Sequence, residues 1–264
     1  MKPKQRFALA LSYEGTHYHG WQTQENLASV QSTLEAALSF VADQPIRVMC
    51  AGRTDAGVHA SEQVVHFDTD VQRHPDAWLL GTNTQLPPDM SVQWVRPVPF
   101  EFNARATATS RCYRYLIHNL PSRPGLLSPF VSWHYKSLNV ERMEEAVQHW
   151  LGEHDFTSFR GPHCQAHTPI RTMLSIRVYR QNALIIIEIE GNAFLHHMVR
   201  NMVGTLFQIG QGRQEPLWAK EVLEAKDRRV AGMMAPAKGL YLTKVKYPSK
   251  FALPETPVGP FFLM

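Results

Sequence analysis

Gly52-Arg53-Thr54-Asp55-Ala56-Gly57-Val58-His59-Ala60 is the stretch on which the reading of this chain turns. It follows directly on Ile46 to Ala51, which reads as a strand, and a second strand is expected around Val64 to Phe67. Two glycines bracket one arginine and one aspartate, the way a chain makes a tight loop that presents a carboxylate outward. The residues alone leave two readings open: a working carboxylate, or a surface turn in which Asp55 bonds its own backbone. A single aspartate also narrows the chemistry. Glycosidases use a pair of carboxylates, and no Asp-x-Asp or His-x-x-x-Asp metal pattern surrounds Asp55. A working Asp55 would be a lone nucleophile or base.

Upstream, Phe7, Leu9, Leu11 and Tyr13 alternate with Ala8, Ala10 and Ser12, the period of a strand with one large-residue face. Val30, Leu34, Ala37, Leu38 and Val41 recur at helical spacing, capped either by Ser32 with Glu35 or one turn earlier by Ser29. Downstream, a helix near Pro75 to Leu80 and a strand from Ser91 to Val95 complete a first half in which strands and helices alternate. This pattern predicts a sheet with helices on one face. Pro97 and Pro99 then punctuate a polar segment reaching about Ser110, where a domain boundary is expected. The reading divides the chain into residues 1–105, carrying the Asp55 loop, and 106–264.

The second half opens with a strand from Arg111 to His118 and a Pro/Gly/Ser loop from Pro121 to Pro129. A helix follows, marked by Val140, Met143, Ala146, Val147, Trp150 and Leu151. Strands are predicted at Leu174 to Tyr179 and Leu184 to Ile189, then a long helix from about Ala193 to Ile209. Another helix is expected from Pro216 to Ala225, and a last strand from Leu240 to Tyr247. On the long helix, Leu195, Met198, Val199, Met202, Val203 and Leu206 form an apolar stripe. The opposite arc holds His196, His197, Arg200, Asn201, Gly204 and Gln208. It has no acidic residue and contains a glycine, which suits a face turned to an anion or a backbone better than one turned to water.

Composition bounds the function. The 264 residues carry a formal net charge of +4 and an isoelectric point near 9.0, a tilt compatible with a polyanionic partner. Three widely spaced cysteines argue against a disulfide framework and for a reducing, cytoplasmic compartment. The apolar run Phe7 to Leu11 is too short for a secretory leader, and Glu188 and Glu190 break up the most apolar stretch, so no membrane span is expected. There is no P-loop or GxGxxG. His163-Cys164-x-x-His167, His196-His197 and His17-x-His19 lack a complementary pair at zinc spacing, so no metal is expected.

At this point the motifs converge. The loop Gly52 to Ala60 resembles the signature of the TruA-type pseudouridine synthases. Tyr13-Glu14-Gly15 followed by Gly20-Trp21-Gln22-Thr23-Gln24 resembles the family's first-strand motif. Phe102-Asn103-Ala104-Arg105 with Arg111-Cys112-Tyr113-Arg114-Tyr115, then Asp155 to Arg160, Phe194 to Gly204 and Ala235 to Leu240, match its later blocks in order. The resemblance spans Phe7 to Pro248; Ser249 to Met264 lie outside it and receive no assignment.

The resemblance implies an α+β fold of two ferredoxin-like domains whose sheets join, with the catalytic cleft between them. It implies isomerisation of uridine to pseudouridine at positions 38, 39 and 40 in the anticodon stem-loop of tRNA, by a homodimer and without a cofactor. Asp55 would be the catalytic carboxylate, and Tyr113 would stack on the flipped uracil, a base that must leave its helix to be reached. Arg53 would contact RNA near the vacated base position. Arg160 and Arg200 would line the same cleft, with Arg200 set against Asp55. Arg105, Arg111 and Arg114 are candidate phosphate contacts. Two rivals remain in view. A non-catalytic RNA binder with two RRM-like halves would need an RNP1 pattern that no strand here carries. An aspartate-nucleophile hydrolase would need a second acid or a metal.

Overall fold

A computed structural model describes residues 3–162, 164–260 and 263. It divides into two compact units: one runs to Thr109 and resumes at Tyr241, and the other is Ser110–Leu240.

In the first unit β1 (Gln5–Tyr13) lies between β3 (His59–Thr69) and β4 (Met90–Val98), antiparallel to both. The far side of β3 pairs with β2 (Met49–Cys50) at one end and, in parallel, with β10 (Leu240–Lys246) at the other. The order β4-β1-β3-β2, with α1 (Val30–Ala42) and α2 (Pro75–Gln85) as the two crossings, is a ferredoxin-like βαββαβ unit. Alternation along β1 sorts its side chains as the sequence predicts. On the large-residue face, Phe7 stacks on Phe67 at 5.6 Å, and Trp78 of α2 closes on both at 5.8 and 5.2 Å. Across the sheet, Ala8 stands opposite His66, whose ring meets the edge of Phe102. Phe102 in turn packs against Tyr247 and Phe251 at 5.0 and 5.1 Å, so residues beyond Pro248 belong to this core.

Of the two candidate caps for α1, Ser29 is the one used; its side chain accepts from the Ser32 N–H. Glu35 instead accepts from the Val48 N–H and pairs with Arg47. The strand predicted over Ile46 to Ala51 shrinks to Met49–Cys50, while β3 extends well beyond Val64 to Phe67 because neighbours flank it on both sides.

The second unit is an antiparallel sheet in the order β5-β9-β8-β7, from β5 (Ser110–His118), β9 (Leu184–Gly191), β8 (Ile170–Gln181) and β7 (Gly152–Asp155). The short β6 (Ser132–Trp133) adds in parallel to β5. Helices α3 (Val140–Val147), α4 (Met198–Gly210) and α5 (Trp218–Ala225) pack on one another, and α3 also packs on β8. Trp150 is fully buried, edge-on to Phe159, with its indole N–H donated to the Ala219 carbonyl. Helix α4 begins at Met198, later than the predicted Ala193. Asn192 folds its side-chain oxygen onto the N–H groups of Thr172 and Ala193, and His197 turns to φ +63°, so the segment ahead of the helix is a shaped loop. No helix among the described residues is long and apolar enough to cross a membrane.

Candidate active site

The Asp55 loop connects β2 to β3, and its start is anchored to β3. The Ala51 N–H donates to the Val64 carbonyl, and the Gln63 side chain donates to the Gly52 carbonyl at 2.5 Å. Asp55 occupies the first position of a turn whose Val58 N–H returns to the Asp55 carbonyl at 3.1 Å. Gly57 supplies the positive φ of that turn, +76°, whereas Gly52 is not among the glycines with positive φ. The turn reading and the carboxylate reading are therefore compatible, since the backbone of Asp55 makes the turn. Asp55 is half-buried, Thr54 buried and Arg53 exposed.

A second stretch of chain holds this loop from outside. Trp21 donates its N–H to the Thr54 carbonyl at 3.0 Å, Gly57 donates to the Tyr18 carbonyl at 3.4 Å, and the Tyr13 and Thr54 hydroxyls bond at 2.8 Å. A Cβ built on Gly15 would lie 2.0 Å from the Val58 carbonyl oxygen; one on Gly20, at φ +88°, would lie 2.7 Å from that of Thr54. Backbone meets backbone here, so only glycine fits. Gly15 and Gly20, and Tyr13 through its hydroxyl, thus owe their residue types to the Asp55 loop, a reason the sequence does not display. Burial pushes the Cys50 thiol up to about 12 against the opposing pull of Arg53 and Arg105, whose charges lie near it.

In the second unit, Arg111, Tyr113 and Tyr115 share one face of β5, as alternation predicts, and all three are buried. Tyr113 meets Phe194 edge-to-face at 4.9 Å, a fixed aromatic pair able to present one ring face to a base. Phe194 had no individual role in the sequence reading; its place two residues past Asn192, in the loop after β9, is what brings it to Tyr113. Arg111 donates to the Asn192 carbonyl at 2.9 Å, which ties the same loop to β5.

Arg200 on α4 is half-buried and donates its Nε–H to the Ala235 carbonyl at 2.9 Å, while the Ala235 N–H returns to the Arg200 carbonyl at 3.0 Å. Arg160 caps the 164–166 turn, donating to the carbonyls of Cys164 and Ala166 at 2.6 and 3.0 Å. The Gly161 N–H donates to the His196 carbonyl, joining the Arg160 segment to the entry of α4. Arg114 faces the other way: its guanidinium grips Glu188 on β9 at 2.6 Å, and Arg177 holds the other oxygen of that carboxylate. Arg105 is exposed in the first unit. His163 of the candidate metal pattern lies outside the described residues.

The polar arc of α4 does face a backbone. Gly204 lies against the Met233 carbonyl, 1.8 Å from where a Cβ would sit, and the buried Asn201 donates to the Phe159 carbonyl and accepts from Arg228.

The tRNA pseudouridine synthase family profile matches residues 9–105 and 146–248. A tRNA pseudouridine synthase A from Coxiella burnetii is 51% identical over 258 residues, covering 98% of this chain and 99% of that protein. Proteins of the same description from Vibrio cholerae and Vibrio vulnificus are 52% and 53% identical, each alignment covering 98% of both chains. The chain belongs to the tRNA pseudouridine synthase family, enzymes that isomerise uridine in tRNA.

Proposed function

We propose that this protein converts uridine to pseudouridine at positions 38, 39 and 40 of the tRNA anticodon stem-loop, with Asp55 as its catalytic carboxylate. The observation that carries the residue assignment is the double clamp on the Asp55 loop: two glycines and three hydrogen bonds with residues 13–21 fix the loop that bears one carboxylate. Such investment in one loop suits a group whose position sets a rate.

In the reaction the N1–C1′ bond breaks, the uracil turns in place, and a C5–C1′ bond forms. The proton lost from C5 is matched by one gained at N1, so nothing is transferred and the chemistry calls for no cofactor. Asp55 supplies the anionic oxygen, as nucleophile or base. Tyr113, held by Phe194, stacks on the displaced uracil and takes its C5 proton, the role the family resemblance assigns to it. Arg53, Arg160 and Arg200 hold RNA and its charge. The enzyme works in the cytoplasm as a homodimer, a reading supported by resemblance to the family.

Tritium release from tRNA labelled at uridine C5 tests the reading. Wild-type protein releases tritium, while Asp55→Asn releases none and still binds tRNA. A wild-type protein that released no tritium would overturn the activity; a turning-over Asp55→Asn would overturn the residue. Pseudouridine maps of tRNA from cells with and without the protein fix the positions.

A further inference from the structure

From Phe102 to Val140 the sequence contains no Asp or Glu, yet it carries Arg105, Arg111, Arg114, Arg123 and Lys136. The second unit exposes part of this run as an aromatic patch. Trp133 and Tyr135 are 37% and 59% exposed, with ring centroids 6.1 Å apart. Adjacent exposed aromatics form a contiguous apolar patch, the kind of surface that marks an interaction site.

These side chains stand on an immobilised backbone. The buried Asn119 donates to the carbonyls of both His134 and Lys136, at 2.9 and 2.7 Å, and accepts from the Leu138 N–H. The His134 N–H bonds the His118 carbonyl, and its ring stacks on Phe207 of α4 at 4.9 Å. The Trp133 indole is oriented by donation to the Leu120 carbonyl at 2.9 Å. Two cations flank the platform: Lys136 lies 5.7 Å from the Tyr135 ring centre, and Arg213 stands two residues beyond Gln211, whose side-chain amide bonds the His134 ring at 3.1 Å. Glu215, next in line after Gln214, is engaged by Arg142 at 3.0 Å.

Rigid exposed aromatics interleaved with cations make the chemistry of nucleic-acid contact: π-faces for bases, ammonium and guanidinium groups for phosphates. We propose that Trp133, Tyr135, Lys136 and Arg213 form a second tRNA-gripping surface, distinct from the Tyr113 base site. The inference rests on the tRNA substrate proposed above. Tyr113 and His118 lie on the same strand, and His118 is in register with Trp133. At about 3.3 Å per residue the platform stands ~17 Å along β5 from Tyr113. It would therefore touch RNA away from the target nucleotide and act on affinity more than on turnover.

Two exposed-residue variants test this in the full-length protein: Tyr135→Ala, and the pair Lys136→Ala with Arg213→Ala. Binding of unmodified tRNA, tritium-release kinetics and sedimentation are measured together. Tyr135→Ala should raise Kd and KM about tenfold, the order expected for one stacked base, with kcat within about twofold. The double variant should also flatten the slope of log K against log salt by about one to two units. Unchanged affinity and salt slope would overturn the proposal while leaving the enzymatic reading intact, because wild-type tritium release reports that reading separately. Weaker binding that appeared only together with dissociation of an oligomer would assign the patch to a second copy of this chain, and would equally overturn it.

Discussion

Gly20 and Thr54 touch through their backbones: the Gly20 α-carbon approaches so near that a Cβ there would lie 2.7 Å from the Thr54 carbonyl oxygen. That oxygen also receives the Trp21 N–H at 3.0 Å. Thr54 is therefore pinned from one side by residues 20 and 21, and Asp55, the next residue, inherits its position.

Gly20→Ala is the direct consequence. A Cβ at φ +88° is strained by roughly 1–2 kcal/mol before any collision, and the collision is with backbone that cannot rotate away. The loop must shift, and displacement of a catalytic group by about 1 Å can reduce turnover on the order of a hundredfold. Tritium release should fall far more than tRNA binding, with a loss in Tm of only a few degrees. A variant with normal turnover would show that the clamp does not set Asp55.

Tyr113 divides into two functions that substitution separates. Phe keeps the ring held against Phe194 and removes only the hydroxyl; Ala removes both. Tyr113→Ala should weaken tRNA binding by roughly 1–3 kcal/mol per stacked base, whereas Tyr113→Phe should bind normally and turn over slowly. Equal activity and affinity in both would make Tyr113 a packing residue.

Glu62 gives the first unit a pH dependence that no sequence motif announces. It is 3% exposed on β3; Oε1 accepts from the Val245 N–H, and Oε2 has no hydrogen-bond partner among the described residues. Burial is the main cause that pushes its carboxyl up from 4.5 to about 7, assisted by Glu255 and opposed by the Val245 N–H and Lys244. The folded state thus holds a proton that the unfolded chain has released between those two values. Its stabilisation is complete below pH 4.5 and declines as pH rises through about 7, by on the order of 3 kcal/mol. Glu62→Gln keeps the shape and the acceptor without the charge. Urea unfolding of the two proteins should agree near pH 4 and diverge by pH 8, with the variant the more stable. A constant difference across that range would refute the assignment.

How much of this was legible depended on range. Phe7 to Tyr13 and Val30 to Val41 could be read because their periods are local and match what packs on them. β6 and β7 could not, being two and four residues long and defined only by distant partners on β5 and β8. Phe251 gave no sign of its place because its partner, Phe102, lies in another part of the chain. At the candidate site the Asp55 loop stood out in the residues themselves and Tyr113 only through the family resemblance, but what positions them did not. Close approach at Gly15 and Gly20 is a property of two loops meeting, and the Phe194 ring arrives through a loop that helical periodicity had absorbed into α4.

Arg200 offers the sharpest separation of structure from chemistry. Its carbonyl and Nε exchange two hydrogen bonds with Ala235, so the arginine is part of the seam between α4 and the 232–235 segment. Gly204, one turn on, completes that seam against the Met233 carbonyl. Arg200→Met retains the backbone bond from Ala235 and loses the side-chain bond to the Ala235 carbonyl, about 1–2 kcal/mol of stability for that bond. If its charge works on the reacting RNA, turnover should fall by roughly 10²–10³, as it does when one electrostatic stabiliser is removed from an active site. Arg200→Lys should recover part of the rate, since the charge remains though the fork geometry does not. Gly204→Ala is the structural control: its Cβ has no room beside Met233, so it should destabilise by about 1–3 kcal/mol or more and lose activity only as it unfolds. Urea curves and single-turnover rates on the three proteins separate the cases. Were Arg200→Met to lose activity in step with stability, as Gly204→Ala does, Arg200 would belong to the seam alone.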